Sequence, residues 1–196
     1  VVKLIEAFKP KVVLAAPECT HWSISNNRAD PSELQALQNS QEPMLSWLVE
    51  VTRIQIEGNR GIIIENPSRS AIWTKSPLLV LLTSGDLTQK KCSQCAFGAT
   101  HPVSKKAVRK DTIFASNLAL KTLTKLCDHR HEHDQPQGQD PQTGCSVTAL
   151  ASVYPRRLCK TLVNEVMGFL SLTDPTRVFP VQAPRRRISI VRRPTD

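Results

Sequence analysis

Short apolar runs and amphipathic stretches alternate along the first part of the chain. KVVLAA at 11–16 and GIIIENP at 61–67 are uninterrupted apolar runs, typical of strands buried on both faces of a parallel sheet. Between them, DPSE at 30–33 combines a capping acid, a proline at the first helical position and a following glutamate, which predicts a helix start. We expect this helix to break at Pro43, to resume, and to end at Gly58. Strand, helical crossover and strand together predict a βαβ unit with parallel strands.

The rest of the hydrophobic pattern predicts further short elements on either side of this unit. They are a helix at 2–9, a helix in SPLLVLLTSG at 76–85, an edge strand in LTQKKC at 87–92, a strand at 112–117, a helix in LALKTLTKLC at 118–127, a loop over 128–146 and an amphipathic helix at 155–170. We therefore expect an α/β fold with a partial Rossmann-like sheet, doubly wound and mostly parallel, flanked by helices. Residues 1–170 form the predicted domain, and the Pro- and Arg-rich residues 171–196 predict a disordered basic tail.

Composition places the chain among ordinary globular proteins. Its 196 residues are 40% hydrophobic and 22% charged. The longest apolar run, PLLVLL at 77–82, is far shorter than the roughly 20 residues that span a bilayer, so we expect no membrane association. No basic-plus-apolar leader is present at the start, which favours an intracellular location. The pattern carries no indication of the oligomeric state.

The net charge of +9 is unevenly distributed. One group of basic residues precedes the strand at 112–117, and another lies in the tail; the candidate nucleic-acid contacts are Lys105, Lys106, Arg109, Lys110, Arg185, Arg186 and Arg187. Clustered cations favour polyanions, because each neutralised phosphate releases condensed counterions. We therefore expect a nucleic acid, DNA in particular, as the partner, and a nuclear location would agree with it. The alternative is a solvated loop and a solvated linker.

Six cysteines without a secretory leader predict reduced thiols that serve packing, metal binding or chemistry. Cys92-x-x-Cys95 has the spacing of half a zinc site, since it lets two thiolates share one ion. Cys127 and His131 are the candidates for the other half, with His133 in reserve. The alternative is that the two cysteines only end an edge strand while the histidines are solvated.

A thiol and an acid follow the two predicted parallel strands. Cys19 lies just past the first strand and Glu65 lies at the end of the second. Ligands of open parallel sheets bind outside the carboxyl ends of the strands, so we expect both side chains in one crevice. The alternative for Cys19 is a buried thiol that packs as a small hydrophobic side chain.

These residues carry a resemblance to a known family. Pro17-Glu18-Cys19 resembles the Pro-Cys motif of cytosine-5 DNA methyltransferases, and Glu65-Asn66-Pro67 resembles their Glu-Asn-Val motif, at a similar separation of 46 residues. The chain is still more similar to the methyltransferase-like segments of some copia-type retroelement polyproteins. That similarity covers about residues 9 to 163 and continues through Trp73, QCAFG at 94–98, the stretch with Lys110, Thr112 and Asn117, the His-rich loop and YPRRLC at 154–159.

The resemblance implies a specific chemistry. The thiolate of Cys19 would add to C6 of a cytosine flipped out of the stack, Glu65 would hold the proton at N3, and C5 would take a methyl group from S-adenosylmethionine. Glu18 replaces a proline of the family and is expected to raise the pKa of the Cys19 thiol. The Gln-x-Arg-x-Arg element has no clear counterpart.

The glycine-rich turn that would hold the cofactor is missing from this sequence. We therefore expect S-adenosylmethionine to bind only if upstream sequence is present, and we expect a truncated or degenerate methyltransferase-like domain. The alternative is a non-catalytic nucleic-acid-binding module, or a zinc-stabilised structural module, of a retroelement polyprotein.

Overall fold

The computed structural model describes residues 2–23 and 30–173. The helices are α1 (Val2–Phe8), α2 (Pro31–Glu57), α3 (Ile72–Lys75), α4 (Leu79–Thr83), α5 (Val147–Leu150) and α6 (Arg156–Thr173). The strands are β1 (Val12–Ala15), β2 (Gly61–Pro67), β3 (Thr88–Ser93), β4 (Ala107–Val108), β5 (Asp111–Ser116) and β6 (His133–Asp134). Two 3₁₀ turns, Thr20–Trp22 and Gln94–Phe97, follow β1 and β3. The tail arginines Arg185, Arg186 and Arg187 lie outside the described residues.

The predicted βαβ unit is confirmed. β1 and β2 pair in parallel, in register from Val12 opposite Gly61 to Ala15 opposite Ile64. Helix α2 begins where the capping signal predicts, because the Asp30 carboxylate accepts hydrogen bonds from the amides of Ser32 and Glu33 at 2.9 and 3.1 Å. The helix ends at Gly58, as predicted.

The predicted break of this helix at Pro43 is wrong. Helix α2 runs without interruption from Pro31 to Glu57, with Pro43 exposed inside it. A proline costs an interior helix one backbone hydrogen bond, but it does so here on the solvent side. Burial of Gln38 before it, and of Leu45 and Leu48 after it, holds both parts of the helix on one axis against the sheet.

The main sheet is mixed rather than mostly parallel. Its strand order is β1-β2-β5-β3, and β5 runs antiparallel to both β2 and β3. The strands predicted at 112–117 and in LTQKKC are present, the latter at the sheet edge as expected. The α/β class is confirmed, whereas the predominance of parallel strands is wrong. Strand direction depends on the connections, and a hydrophobic run has the same pattern in either direction.

The helix predicted in LALKTLTKLC is also wrong, since this stretch forms turns. Leu118, Leu120 and Leu123 are nevertheless buried, and they fill the core beneath α6 from an irregular backbone. Their burial satisfies the hydrophobic pattern without a helix. The predicted helix at 155–170 is confirmed as α6, which extends to Thr173.

A hydrophobic core covers each face of the sheet. Helix α2 packs Leu45 and Leu48 on one face together with Ile62 and Ile64. On the other face, Ile63 packs among residues that include Leu158 of α6. Alternate residues of β2 therefore serve opposite cores, which explains why the strand is apolar throughout. None of the helices in the described part of the chain is long and apolar enough to cross a bilayer.

Candidate functional site

Parallel pairing of β1 and β2 brings the thiol and the acid to one edge of the sheet. β1 ends at Ala15, opposite Ile64, so that Glu65 is the next residue of β2 beyond the last paired position. Cys19 lies four positions past the end of β1, at the start of the first 3₁₀ turn. The two groups are within electrostatic reach, because the charge of Glu65 contributes to raising the pKa of Cys19. The structure therefore places both predicted catalytic residues near the edge of the sheet at which β1 and β2 end.

The loop that carries Cys19 is held against the end of β2. The side-chain amide of Asn66 donates a hydrogen bond to the carbonyl of Pro17 at 2.8 Å. Further along, the amide of Ala71 donates to the carbonyl of Trp22 at 2.8 Å, and the Trp22 ring is buried in the core. These contacts on both sides of Cys19 fix its position relative to Glu65.

Glu65 is a buried carboxyl group with a polar surround. Its side chain interacts by hydrogen bonds with Tyr154 and Thr112, and the Gln94 amide donates to the Thr112 hydroxyl at 2.8 Å. Burial raises the pKa of Glu65 above its ordinary value, while Tyr154, Lys110 and Thr112 partly offset that effect. Glu65 is thus poised to hold a proton at a higher pH than an exposed glutamate does.

Cys19 is half-buried, and its environment favours the neutral thiol. Burial raises the pKa of Cys19, Glu65 raises it further, and Lys110 acts in the opposite direction. Glu18 adds a smaller increase in the pKa, in the direction predicted from the sequence. A nucleophilic thiolate at this position therefore depends on the positive charge of Lys110 and on loss of the thiol proton when a substrate binds.

Lys110 and Tyr154 are site residues whose role the sequence did not indicate. The ammonium of Lys110 lies 5.7 Å from the centre of the Tyr154 ring, and its charge lowers the pKa of both Cys19 and Glu65. We predicted Lys110 as a backbone contact within a basic cluster, whereas the structure brings it to the thiol and acid. Burial and the Glu65 contact raise the pKa of Tyr154, so that its hydroxyl stays protonated and can donate.

An apolar cavity of about 230 Å³ borders Glu65 on the α6 side of the sheet. Its lining includes Leu14 from β1, Phe114 from β5, Leu162 from α6 and the Tyr154 ring. The cavity walls are apolar, and Leu14 among them is 56% exposed. Glu65 itself is only 6% exposed, and this burial is the physical reason for its raised pKa.

A cluster of two thiols and two imidazoles lies beyond the end of β3, at the same edge of the sheet as Lys110 and the end of β2. It consists of Cys95, Cys127, His131 and His133, whose ligand atoms all lie within 4.8 Å of one another. The Cys127 sulfur is 3.6 Å from Nε2 of His131 and 3.3 Å from Nε2 of His133. Two cysteines and two histidines at such separations could hold a metal ion with tetrahedral geometry.

The cluster differs from the predicted ligand set at one position. Cys92 is not a member, and His133, which we held in reserve, takes its place. Cys92 has no exposed surface and packs with Phe114 and Leu123, and burial raises its pKa to about 12. The Cys-x-x-Cys spacing predicts a shared ion, but here β3 directs Cys92 into the core while Cys95 lies in the following 3₁₀ turn.

The structure separates the four described residues of the basic group. Lys106 forms an ion pair with Glu132 at 2.8 Å, and Lys105 donates to the carbonyl of Pro102, so both stay on the exposed turn next to the metal cluster. Arg109 and Lys110 instead flank the start of β5, close to the end of β2. The predicted basic cluster therefore serves two different surfaces.

Comparison of the chain with protein-family models, with curated proteins and with solved structures finds no match.

Proposed function

We propose that this chain is a DNA cytosine-5 methyltransferase-like domain, similar to those of copia-type retroelement polyproteins, with Cys19 as the nucleophile and Glu65 as the acid. The observation that carries the proposal is the shared site of a thiol and a buried carboxyl group at the carboxyl ends of two parallel strands. The resemblance in the two short motifs supports the same chemistry. Clustered cations around the site suit a polyanionic substrate.

The residues of the site match the steps that addition to cytosine needs. Glu65, whose pKa is raised by burial, can give a proton to N3 of the base, which makes C6 electrophilic. The Cys19 sulfur then forms a bond to C6 as its own proton leaves to solvent. Lys110 stabilises the developing negative charge on the sulfur, and Tyr154 holds Glu65 in position by a hydrogen bond.

The residues present do not fit the methyl donor of this chemistry. β1 is followed by Ala16 and Pro17, and β2 by Ser68 and Arg69, so that neither parallel strand leads into a glycine-rich turn. The described residues thus form no glycine-rich cradle for S-adenosylmethionine at the end of either parallel strand.

Addition without a methyl donor has a balanced outcome that can be measured. Once sulfur is bonded to C6 and N3 is protonated, C5 takes a proton from water. The original C5 hydrogen then leaves as a proton, the sulfur departs from C6, and the N3 proton returns to Glu65. These steps restore cytosine. The net reaction exchanges the C5 hydrogen with solvent, and it consumes no oxidant, reductant or cofactor.

The test is release of tritium to water from single-stranded DNA that carries 5-tritiated cytosine. We expect release by the wild type, none with Cys19→Ala, and slower release with Glu65→Gln. Cys145→Ala, which removes an exposed thiol elsewhere in the chain, is the matched control and should keep full activity. Tritium release that persists in Cys19→Ala would overturn the catalytic proposal. DNA binding by the wild type without any tritium release would also overturn it, and would support a non-catalytic nucleic-acid-binding module.

We also propose that the Cys95, Cys127, His131 and His133 cluster binds zinc in a structural role. Two thiolates and two imidazoles are a ligand set that zinc prefers, and a site with four protein ligands leaves no open position for catalysis. Metal content of the purified protein tests this. Cys95→Ser should lose the zinc, whereas Cys92→Ser and the exposed-site control Cys159→Ser should keep it. Equal metal content in Cys95→Ser and the wild type would refute the site.

A further inference from the structure

A positively charged cleft of about 300 Å³ opens beside the Cys19–Glu65 site. Its walls come from the turn after β2, from the start of β5 and from the residue that follows β6. Its lining includes Ser68, Arg69, Arg109, Lys110, Asp111 and Gln135. Arg69 and Gln135 lie far from Arg109 in sequence, and only the fold brings the three together.

The three cations of this cleft outnumber its one acid, Asp111, although the charge of Arg109 lowers the pKa of Asp111 and that of Lys110 lowers the pKa of Glu65. Among the residues that the structure describes, no carboxylate lies within 4.0 Å of a charged nitrogen of Arg69, Arg109 or Lys110. Asp111 also lines the cleft, but its two oxygens are engaged by Lys91 at 3.2 Å and by the Ser93 hydroxyl at 2.7 Å. The cleft therefore presents a net positive charge to solvent, which favours an anion.

Two walls of the cleft are joined by the backbone. The amide of Ser68 donates to the carbonyl of Asp111 at 2.9 Å, directly after the last pair of the β2–β5 ladder, Pro67 opposite Thr112. The Trp73 indole donates to the carbonyl of Pro67 at 3.0 Å and so holds the same turn by a second hydrogen bond. Arg69 and Arg109 thus extend from a rigid base, which reduces the entropy lost when they bind a ligand.

The third wall is connected to the metal cluster. Strand β6 pairs with β4, with Val108 opposite Asp134, and Gln135 follows directly. His133, a residue of the metal cluster, lies two positions before Gln135. A metal ion bound by the cluster would hold β6 against β4 and so hold Gln135 at the cleft.

We infer that this cleft binds one phosphate group of a nucleic-acid backbone, held by Arg69, Arg109 and Lys110 between the turn after β2 and the start of β5. Guanidinium groups suit this role, because their planar N–H pairs match two phosphate oxygens. Lys110 faces both the cleft and the Cys19–Glu65 site, so a phosphate bound here lies next to the reacting base. That the phosphate belongs to a polynucleotide rests on the proposed function.

The test compares the affinity of the full chain for a short fluorescein-labelled DNA single strand by anisotropy at several salt concentrations. Arg69→Gln and Arg109→Gln should each weaken binding about tenfold, as expected for loss of a charged hydrogen bond. The double variant should also lower the slope of log affinity against log salt by about 0.7, the value for one phosphate on a single strand. Arg53→Gln, at an exposed position of α2, is the matched control and should bind like the wild type.

The outcomes separate this inference from the catalytic proposal. Unchanged affinity and salt slope in the double variant would overturn the cleft, even if tritium release from cytosine proceeds. Weakened binding in the double variant supports the cleft, even if the wild type releases no tritium. Inorganic phosphate should compete with DNA for the wild type. If DNA fails to displace bound inorganic phosphate, the assignment of the cleft to a nucleic-acid backbone is overturned.

Discussion

The βαβ unit and the segment between residues 121 and 150 are stabilised in different ways. In β2, every residue from Gly61 to Asn66 is buried, and α2 covers one face of the strand with leucines and valines. Between residues 121 and 150, only Leu123 and Val147 are buried. The βαβ unit thus lies in a hydrophobic core, which it shares with Trp73, Leu78 and Leu81, and the later segment has almost none.

This difference indicates what each region requires in order to fold. Apolar burial at roughly 25 cal/mol per Å² can offset the entropy of ordering the βαβ unit. The 121–150 segment contains three of the four residues of the metal cluster, the short β6 strand and Glu132, whose exposed ion pair with Lys106 contributes little. In our proposal, a metal ion bound by the cluster supplies most of the order of this segment.

The largest expected effect is local loss of structure when the metal ligands are removed. Cys127→Ser should increase amide hydrogen exchange in residues 127–135 by about 100-fold or more, because metal binding supplies the local folding free energy. Amides of β2 should keep their protection, since that strand depends on the hydrophobic cores. Cys145→Ser, an exposed cysteine of the same segment, is the control. Equal protection in both variants would show that the segment is ordered without metal.

The next largest effect is a cavity in the core of the βαβ unit. Ile64 has no exposed surface and packs beneath α2, so Ile64→Ala should lower the free energy of unfolding by about 2–5 kcal/mol in urea titrations. The loss should be the same with and without a chelator, because this core does not depend on the metal. Val80→Ala, at a half-exposed position, should cost less than about 1 kcal/mol. A loss that disappears with chelator would contradict independent stabilisation of the two regions.

A smaller effect comes from a buried polar side chain of the βαβ unit. The amide of Gln55 donates to the carbonyls of Pro10 and Gly61 at 3.0 and 2.9 Å and so joins the starts of both parallel strands. Gln55→Ala should lower the free energy of unfolding by about 1–3 kcal/mol, since it leaves those carbonyls without this partner. Gln35→Ala, on an exposed turn of the same helix, should have little effect. Similar stability of the two variants would show that apolar contacts alone hold the unit together.

The smallest expected effect is a pH dependence caused by Glu65, the acid at the end of the apolar strand. Because burial raises the folded-state pKa of Glu65 above 4.5, its contribution to stability is full below about that pH and is lost as the pH rises through the folded-state pKa. Glu65→Gln stays neutral and lacks this loss. The free energy of unfolding of Glu65→Gln minus that of the wild type should therefore increase as the pH rises above 4.5.

Tyr154→Phe sharpens the same measurement. The hydrogen bond from Tyr154 lowers the pKa of Glu65, so its removal should move the decline in stability to higher pH. Parallel pH profiles for the wild type and Glu65→Gln would contradict the raised pKa. If stability declines over the same pH range in Tyr154→Phe as in the wild type, the hydrogen bond from Tyr154 to the carboxyl group is contradicted.

The sequence predicted the parts of the fold whose signals are local. The apolar runs at 11–16 and 61–67, the Asp30 cap and Gly58 each act within a few residues, and all four are present as expected. The errors concern features that depend on contacts between distant segments. Packing of α2 against the sheet overrides Pro43, and leucines of an irregular stretch fill the core beneath α6 where a helix was predicted.

The candidate site divides in the same way. Cys19 and Glu65 lie at one edge of the sheet because Cys19 is in the loop after β1 and Glu65 is in the last part of β2, and a crossover connection makes the two strands parallel. Lys110 and Tyr154 reach that site from the start of β5 and from the turn before α6, and neither position follows from spacing in the sequence. The same holds for His133, which replaces Cys92 in the metal cluster.

The sequence by itself determined the α/β class, the βαβ unit and the edge of the sheet at which a thiol and an acid meet, because hydrophobic periodicity and capping are local properties. Only the tertiary structure decided the direction of β5, the members of the metal cluster and the basic cleft beside the thiol. Those features are made by side chains from separate segments. Their relative positions are set by the packing of the whole chain, which leaves no periodic trace in any one segment.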